Sequence, residues 1–490
     1  MRPANLLAAL LFSIFLATPL ASLMVGGYAS KANEKPSWGD ISVSTLIGPN
    51  DTYRKKIARA VISGAPVAMD LISAKAYFDY RIMGFINSTR VISTRDGWLF
   101  YKQQFSGGKP LFAGGKCEDQ VQQREAIDAA NALRLVAEGA GIDLRFSVSP
   151  DKSIVEQDML DQRVRAFSGC KIQSAEKWRL YNRDVGAPII DHLEEFRTFG
   201  GDQQLYFATD THWNTRAQLL ALTRLAKEYF GLPMVAPKKV GNTEHSSVRD
   251  LTAMLRLNFV ERDFTPAAFD ISPLLVENHT DPSSLLVLHD SFYGGLTNQL
   301  KLLFPNVLMV HLDHRDVDQA MASGAAHILI NSIERSFFQR ILSTTLSWNS
   351  VFAKHLLRLN AEKADCQLTE IAGDKLRPVS IEDGGDNPVA GRNLNILVDL
   401  PAMENASKVC VRVAFDSASE TGTQIFLPTL MKETLNQYRT GRSIYFANSK
   451  PGSRSIILAL PGRFAGTRLR IDPIADSRTV EGLKIEVGAY

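Results

Sequence analysis

The chain has 490 residues, 45% of them hydrophobic and 22% charged, with a formal net charge of +3. That length exceeds one ordinary hydrophobic core and predicts two domains. A net charge so small, with its basic residues scattered and no polybasic arm, excludes a nucleic-acid signature.

Arg2 precedes a mostly apolar run from Leu6 to Val25, broken only by Ser13, Thr18, Pro19 and Ser22. Its length lies between a secretory apolar core and a membrane helix, and small residues around Ala17 to Ser22 suit cleavage. Residues 1–27 are therefore predicted to be a signal peptide or a membrane anchor, with the rest of the chain exported. Four cysteines agree with an oxidising compartment. If the domains fold separately, Cys117 pairs with Cys170 and Cys366 with Cys410, one of three connectivities. No Cys/His zinc spacing is present, and His311, Asp313 and His314 lack an obvious third partner, so no metal and no cofactor is expected.

Residues 28–90 read as a polar tether followed by leading helices, with helical spacing from Tyr53 to Phe85. Val91-Ile92-Ser93 and Trp98 to Tyr101 flank Arg95-Asp96-Gly97, a strong hairpin signal. From there helices and short apolar strands alternate. Helices are predicted over Val121 to Ala140 and Thr215 to Phe230. Strands are predicted over Asp143 to Ser149, Ala187 to Ile190, Ser284 to Leu288, Val307 to Val310 and Ala326 to Ile330. The pattern predicts an α/β domain over 91–350, a parallel sheet covered by helices on both faces. Beyond a boundary near 350 to 370, Pro, Gly and Asn punctuate short alternating runs, which predict an all-β sandwich over 366–490.

Two segments carry candidate chemistry. Leu285 to Leu288 leads into His289-Asp290-Ser291-Phe292-Tyr293-Gly294, a strand ending in Ser before a helix start. In open α/β sheets functional groups collect beyond such strand ends. The following N–H groups are expected to serve a developing oxyanion. Serine alone is a weak nucleophile and needs a base. Asp210-Thr211-His212-Trp213-Asn214 supplies one: His212 as base, with Asp210 placed to accept its other ring N–H. Trp213, Asn214 and Asp290 read as substrate-binding or supporting residues. Lys152, just past a strand end, reads as a solvated lysine or a substrate contact. His289 reads as a structural or substrate-contact imidazole beside the nucleophile.

These residues resemble the alginate O-acetyltransferase family, whose catalytic domain has an SGNH-hydrolase-like fold. Arg95-Asp96-Gly97-Trp98-Leu99-Phe100, Ser149-Pro150-Asp151-Lys152, Asp210 to Asn214, Asp250-Leu251-Thr252-Ala253-Met254-Leu255, His289-Asp290-Ser291-Phe292 and Glu334-Arg335 follow the family's block order. The resemblance implies Ser291 as nucleophile, His212 as base and Asp210 as its orienting partner. It also implies a periplasmic protein that acetylates an exported polysaccharide through an acetyl-serine intermediate and works with a membrane-bound, acetyl-exporting acyltransferase. His289 and Arg249 stand where the family carries glycines, which would permit positive φ or close backbone approach. The C-terminal sandwich resembles carbohydrate-binding modules. A carbohydrate esterase with the same triad, or a non-catalytic polysaccharide-binding protein, are the alternative readings.

Overall fold

The structure is a computed structural model. It describes residues 75–82, 86, 88–102, 119–199, 204–235, 238–239, 245–247, 249–255, 257, 263–265, 269–270, 284–312, 323–341, 368–370, 377–379, 395–400, 402, 406–417, 421–427, 443–449, 452–474 and 480–489. Two compact units divide the chain: one of Met1–Tyr101, Ala208–Thr211 and His245–Phe264, the other of Lys102–Phe207, His212–Glu244 and Thr265–Tyr490.

In the first unit, β1 (Val91–Ser93) and β2 (Leu99–Tyr101) pair antiparallel, with Ile92 opposite Phe100. The connection turns because Asp96 (φ 53°) and Gly97 (φ 77°) take left-handed backbone, which Gly enters freely and Asp more readily than most. Tyr80, Val91, Leu99, Leu251, Leu255 and Leu257 form the small core. Most of the helix expected from Tyr53 to Phe85 lies outside the described residues; Phe78–Ile82 is a π-helical turn.

The second unit opens with α1 (Gln120–Gly139), β3 (Asp143–Ser149), α2 (Gln162–Asp184), β4 (Ile189–Asp191), α3 (Leu193–Phe199) and α4 (Thr215–Phe230). It continues through β5 (Ser284–His289), α5 (Ser291–Gly294), β6 (Asn306–His311) and β7 (His327–Ile333). The five strands form one parallel sheet in the order β6-β5-β7-β3-β4. Leu285, Leu286, Val287 and Leu288 are all buried, as a central strand covered on both faces requires. Side-chain caps fix the helix starts. Asp119 accepts from Val121 N and Asp161 from Val164 N, and Gly231 closes α4 in left-handed backbone.

The C-terminal part adds β8 (Thr369–Glu370), β9 (Arg377–Val379), β10 (Asn395–Asp399), β11 (Lys408–Ser417) and β12 (Thr421–Phe426). Then come β13 (Ser443–Ser449), β14 (Gly452–Pro461), β15 (Arg468–Ile474) and β16 (Val480–Ala489). They make two antiparallel sheets, β8-β16-β11-β14 and β9-β10-β15-β12-β13. Val411, Val413 and Leu458 of one sheet and Ile396, Ile425 and Ile471 of the other belong to one apolar core, as in a sandwich.

The same core continues into the α/β layer, because α1 packs on β14. Gly139 makes this approach close: a Cβ there would lie 2.0 Å from the Ala459 carbonyl oxygen. Beside it Arg463 grips Glu138 with two hydrogen bonds of 2.6 and 2.7 Å. The expected domain boundary, Cys117 and Cys366 fall almost wholly outside the described residues, as do Asp313, His314 and the N-terminal apolar run. Among the described residues no cysteine is free, and no helix is long and apolar enough to cross a membrane.

Candidate active site

Ser291 is the first residue of α5, directly beyond the C-terminal end of β5, and its side chain is exposed. Asp290 holds that turn. Its Oδ1 accepts from Phe292 N at 3.0 Å, while Oδ2 accepts from Ile333 N at 2.7 Å and Ser332 Oγ at 3.2 Å. Asp290 therefore ties the end of β5 to the end of β7 and is a supporting residue. The Phe292 N–H, one of the groups expected to serve a developing oxyanion, donates to Asp290 Oδ1 here.

His212 comes to Ser291 from the α4 side. Its Nε2 lies 2.8 Å from Ser291 Oγ, a distance at which the hydroxyl donates to a neutral imidazole. The Asn214 cap sets this approach. Its Oδ1 accepts from Arg216 N and Ala217 N, its Nδ2 donates to Gln204 O at 2.7 Å, and its own N–H donates to Leu205 O. Trp213 is fully buried and donates from Nε1 to Phe292 O at 3.0 Å. Asn214 and Trp213 thus act on the backbone and do not reach out to substrate. Asp210 belongs to the first unit, buried, with its carboxylate accepting weakly from Asp250 N at 3.5 Å. Its proposed place behind His212 rests on the two-residue spacing.

Lys152 departs most from the sequence reading. It is neither solvated nor a substrate contact: its side chain is fully buried and Nζ donates to Phe207 O at 2.7 Å. Glu156 holds the same stretch, accepting from Leu205 N and Tyr206 N. Together they fix the backbone that leads toward His212. His289 is also buried. It ends β5, its Nδ1 sits 2.6 Å from Asp290 O, and its ring meets His311 edge-on across the strand pair. That is a structural role, and the only non-glycine residues with positive φ among those described are Asp96 and Ala187. Neither His289 nor Arg249 therefore strains the backbone where glycine was expected.

Beneath the site lie charges whose connections the sequence did not reveal. Asp151 accepts from Lys171 Nζ and from Arg335 Nη1, each at 2.6 Å. Burial pushes its carboxyl up, but the two cations outweigh burial and hold it below the ordinary value. Glu334 accepts from Trp178 Nε1 at 2.8 Å and from both terminal nitrogens of Arg179, whose Nε binds Asp191 at 2.7 Å. Arg335 also lies 5.8 Å from the centroid of the Phe292 ring, next to Ser291.

Residues 91–267 match the family model described as "SGNH hydrolase-like domain, acetyltransferase AlgX". This segment is similar to that domain. It contains Asp210 and His212, and Ser291 lies beyond it. No curated protein matches the chain. Among solved structures, the O-acetyltransferase domain of Pseudomonas putida AlgJ is 16% identical with a TM-score of 0.38, over 55% of this chain and 99% of that one. Pseudomonas aeruginosa AlgX is 15% identical with a TM-score of 0.36, over 85% of this chain and 98% of that one.

Proposed function

We propose that the chain is a serine-dependent O-acetyltransferase acting on an exported polysaccharide. The 2.8 Å pairing of His212 Nε2 with Ser291 Oγ at the sheet edge carries the reading, and the SGNH hydrolase-like match of residues 91–267 supports it. In the first half-reaction the Ser291 proton passes to His212 Nε2 as Oγ bonds to the acetyl carbon of an ester donor. The donor's alkoxide leaves and takes that proton. In the second, His212 accepts the proton of a sugar hydroxyl, whose oxygen bonds to the acetyl carbon. Ser291 Oγ departs and recovers its proton. Asp210 would orient His212 and stabilise the imidazolium.

Hydrolysis of the same acetyl-serine is the second reading, favoured by the exposure of Ser291 to water. Export to the periplasm, anchoring or cleavage at residues 1–27, the two disulfide pairings, a sugar-binding sandwich and a membrane-bound donor partner belong to this proposal. An acetyl ester donor incubated with wild type and Ser291→Ala, with and without oligosaccharide, tests it. Acetylated sugar with wild type alone is the expected result. Acetate release without sugar modification gives the esterase reading, and equal release by both proteins sinks both.

A further inference from the structure

His192 was not singled out by sequence, has no part in the proton transfers above, and is fully buried. It follows β4 at the sheet's C-terminal edge, immediately before α3. Its Nε2 lies 2.7 Å from the hydroxyl of Tyr293 and 3.1 Å from Ser147 Oγ, and those two hydroxyls are 2.9 Å apart. Asn331 Nδ2 donates to Ser147 Oγ at 2.8 Å. Burial, then the nearby charge of Arg224, depresses the His192 pKa to about 3, so the ring is neutral.

One arrangement satisfies every hydroxyl. The Asn331 amide donates to Ser147, Ser147 donates to Tyr293, and Tyr293 donates to His192 Nε2. The ring proton is then on Nδ1, which has no hydrogen-bond partner among the described residues and lies 4.0 Å from Glu195 Oε2. Buried hydroxyls without partners would each cost about 1–3 kcal/mol, so the chain holds the Tyr293 ring in one place. Tyr293 lies two residues after Ser291 in the same helical turn. The His192 ring also packs edge-on against Trp213, the residue after His212, with centroids 6.0 Å apart. One buried imidazole therefore touches the neighbours of both reacting side chains.

Resting on the reading of Ser291 and His212 as nucleophile and base, we propose that His192 and Tyr293 are positioning residues that fix the Ser291 turn against His212. A nucleophile misplaced by a fraction of an ångström loses rate without losing substrate affinity. The test follows modification of Ser291 by phenylmethylsulfonyl fluoride, read by mass spectrometry, alongside kcat and KM for an acetyl ester. Tyr293→Phe and His192→Ala should each slow labelling and lower kcat about tenfold, with KM changed less than about twofold. His192→Gln, whose amide can accept from Tyr293, should recover to within about threefold of wild type. Because both act through one network, the double variant should be no slower than the slower single one. Tyr293→Phe keeps the ring's volume and remains informative if His192→Ala does not fold. Labelling of Tyr293→Phe at the wild-type rate overturns the positioning role while leaving the proposed function standing. A wild-type protein that is never labelled at Ser291 overturns both.

Discussion

The indole N–H of Trp213 donates to the carbonyl of Phe292 at 3.0 Å, so the residue after His212 is bonded to the residue after Ser291. This bond links the two segments that carry the dyad without involving either reacting side chain. Replacing Trp213 by Phe keeps an aromatic filler but leaves the Phe292 carbonyl without this donor. The substitution should cost about 1–3 kcal/mol of stability. Ester turnover should fall about tenfold through kcat. Urea unfolding and steady-state kinetics measure the two, and full activity would show that the bond does not set the geometry.

Glu195 gives the protein a pH-dependent stability. Burial raises its carboxyl to about 7 despite the opposing pull of Arg224. The folded state therefore holds this proton more tightly than the unfolded chain. The associated stability is present in full below the ordinary carboxylate range and is lost as pH rises through about 7. The loss should be on the order of 1–3 kcal/mol across that window. Glu195→Gln should flatten the slope in melts recorded from pH ~5 to ~8; an unchanged slope would assign it to other groups.

Asp151 behaves in the opposite sense. Its carboxyl is held below the ordinary value, so its contribution is present above the usual carboxylate pKa and fades as pH falls through the lowered one. Asp151→Asn removes the charge that Lys171 and Arg335 both face. A cost of about 3–5 kcal/mol is expected in chemical denaturation, as for breaking a buried ion pair. A loss below about 1 kcal/mol would mean that the cluster is solvated.

Gly139→Ala tests the close approach of α1 to β14. The added methyl would lie 2.0 Å from the Ala459 carbonyl oxygen, and backbone must move to admit it. Overpacking of this kind costs about 1–3 kcal/mol although alanine is the better helix former. A gain in melting temperature would refute the contact.

The elements legible in the sequence were those with clean apolar patterns. Asp143–Ser149 and Thr215–Phe230 fall where predicted, and β5 and β6 gain only a residue or so at their ends. The helix Gln162–Asp184 was not predicted. Its inward side includes Lys171 and Arg179, whose carboxylate partners lie elsewhere in the chain, so no apolar stripe marks it. The same physics hid the role of Lys152, since a lysine whose ammonium bonds a carbonyl 55 residues away looks solvated in sequence. Ser291 and His212 were legible because strand-end serine and Asp-x-His are local patterns. His192 was not, because its partners come from β3 and α5.

The glycine at the end of α1 also bears on how the molecule can be divided. The helix that covers the parallel sheet lends its other side to the sandwich, with Ala126, Ala130, Leu133 and Val136 inside the common core. A polypeptide ending near residue 350 would uncover that side and turn a shared wall into a sticky exterior. Coexpressing the two halves as separate chains should rescue solubility that neither half has alone.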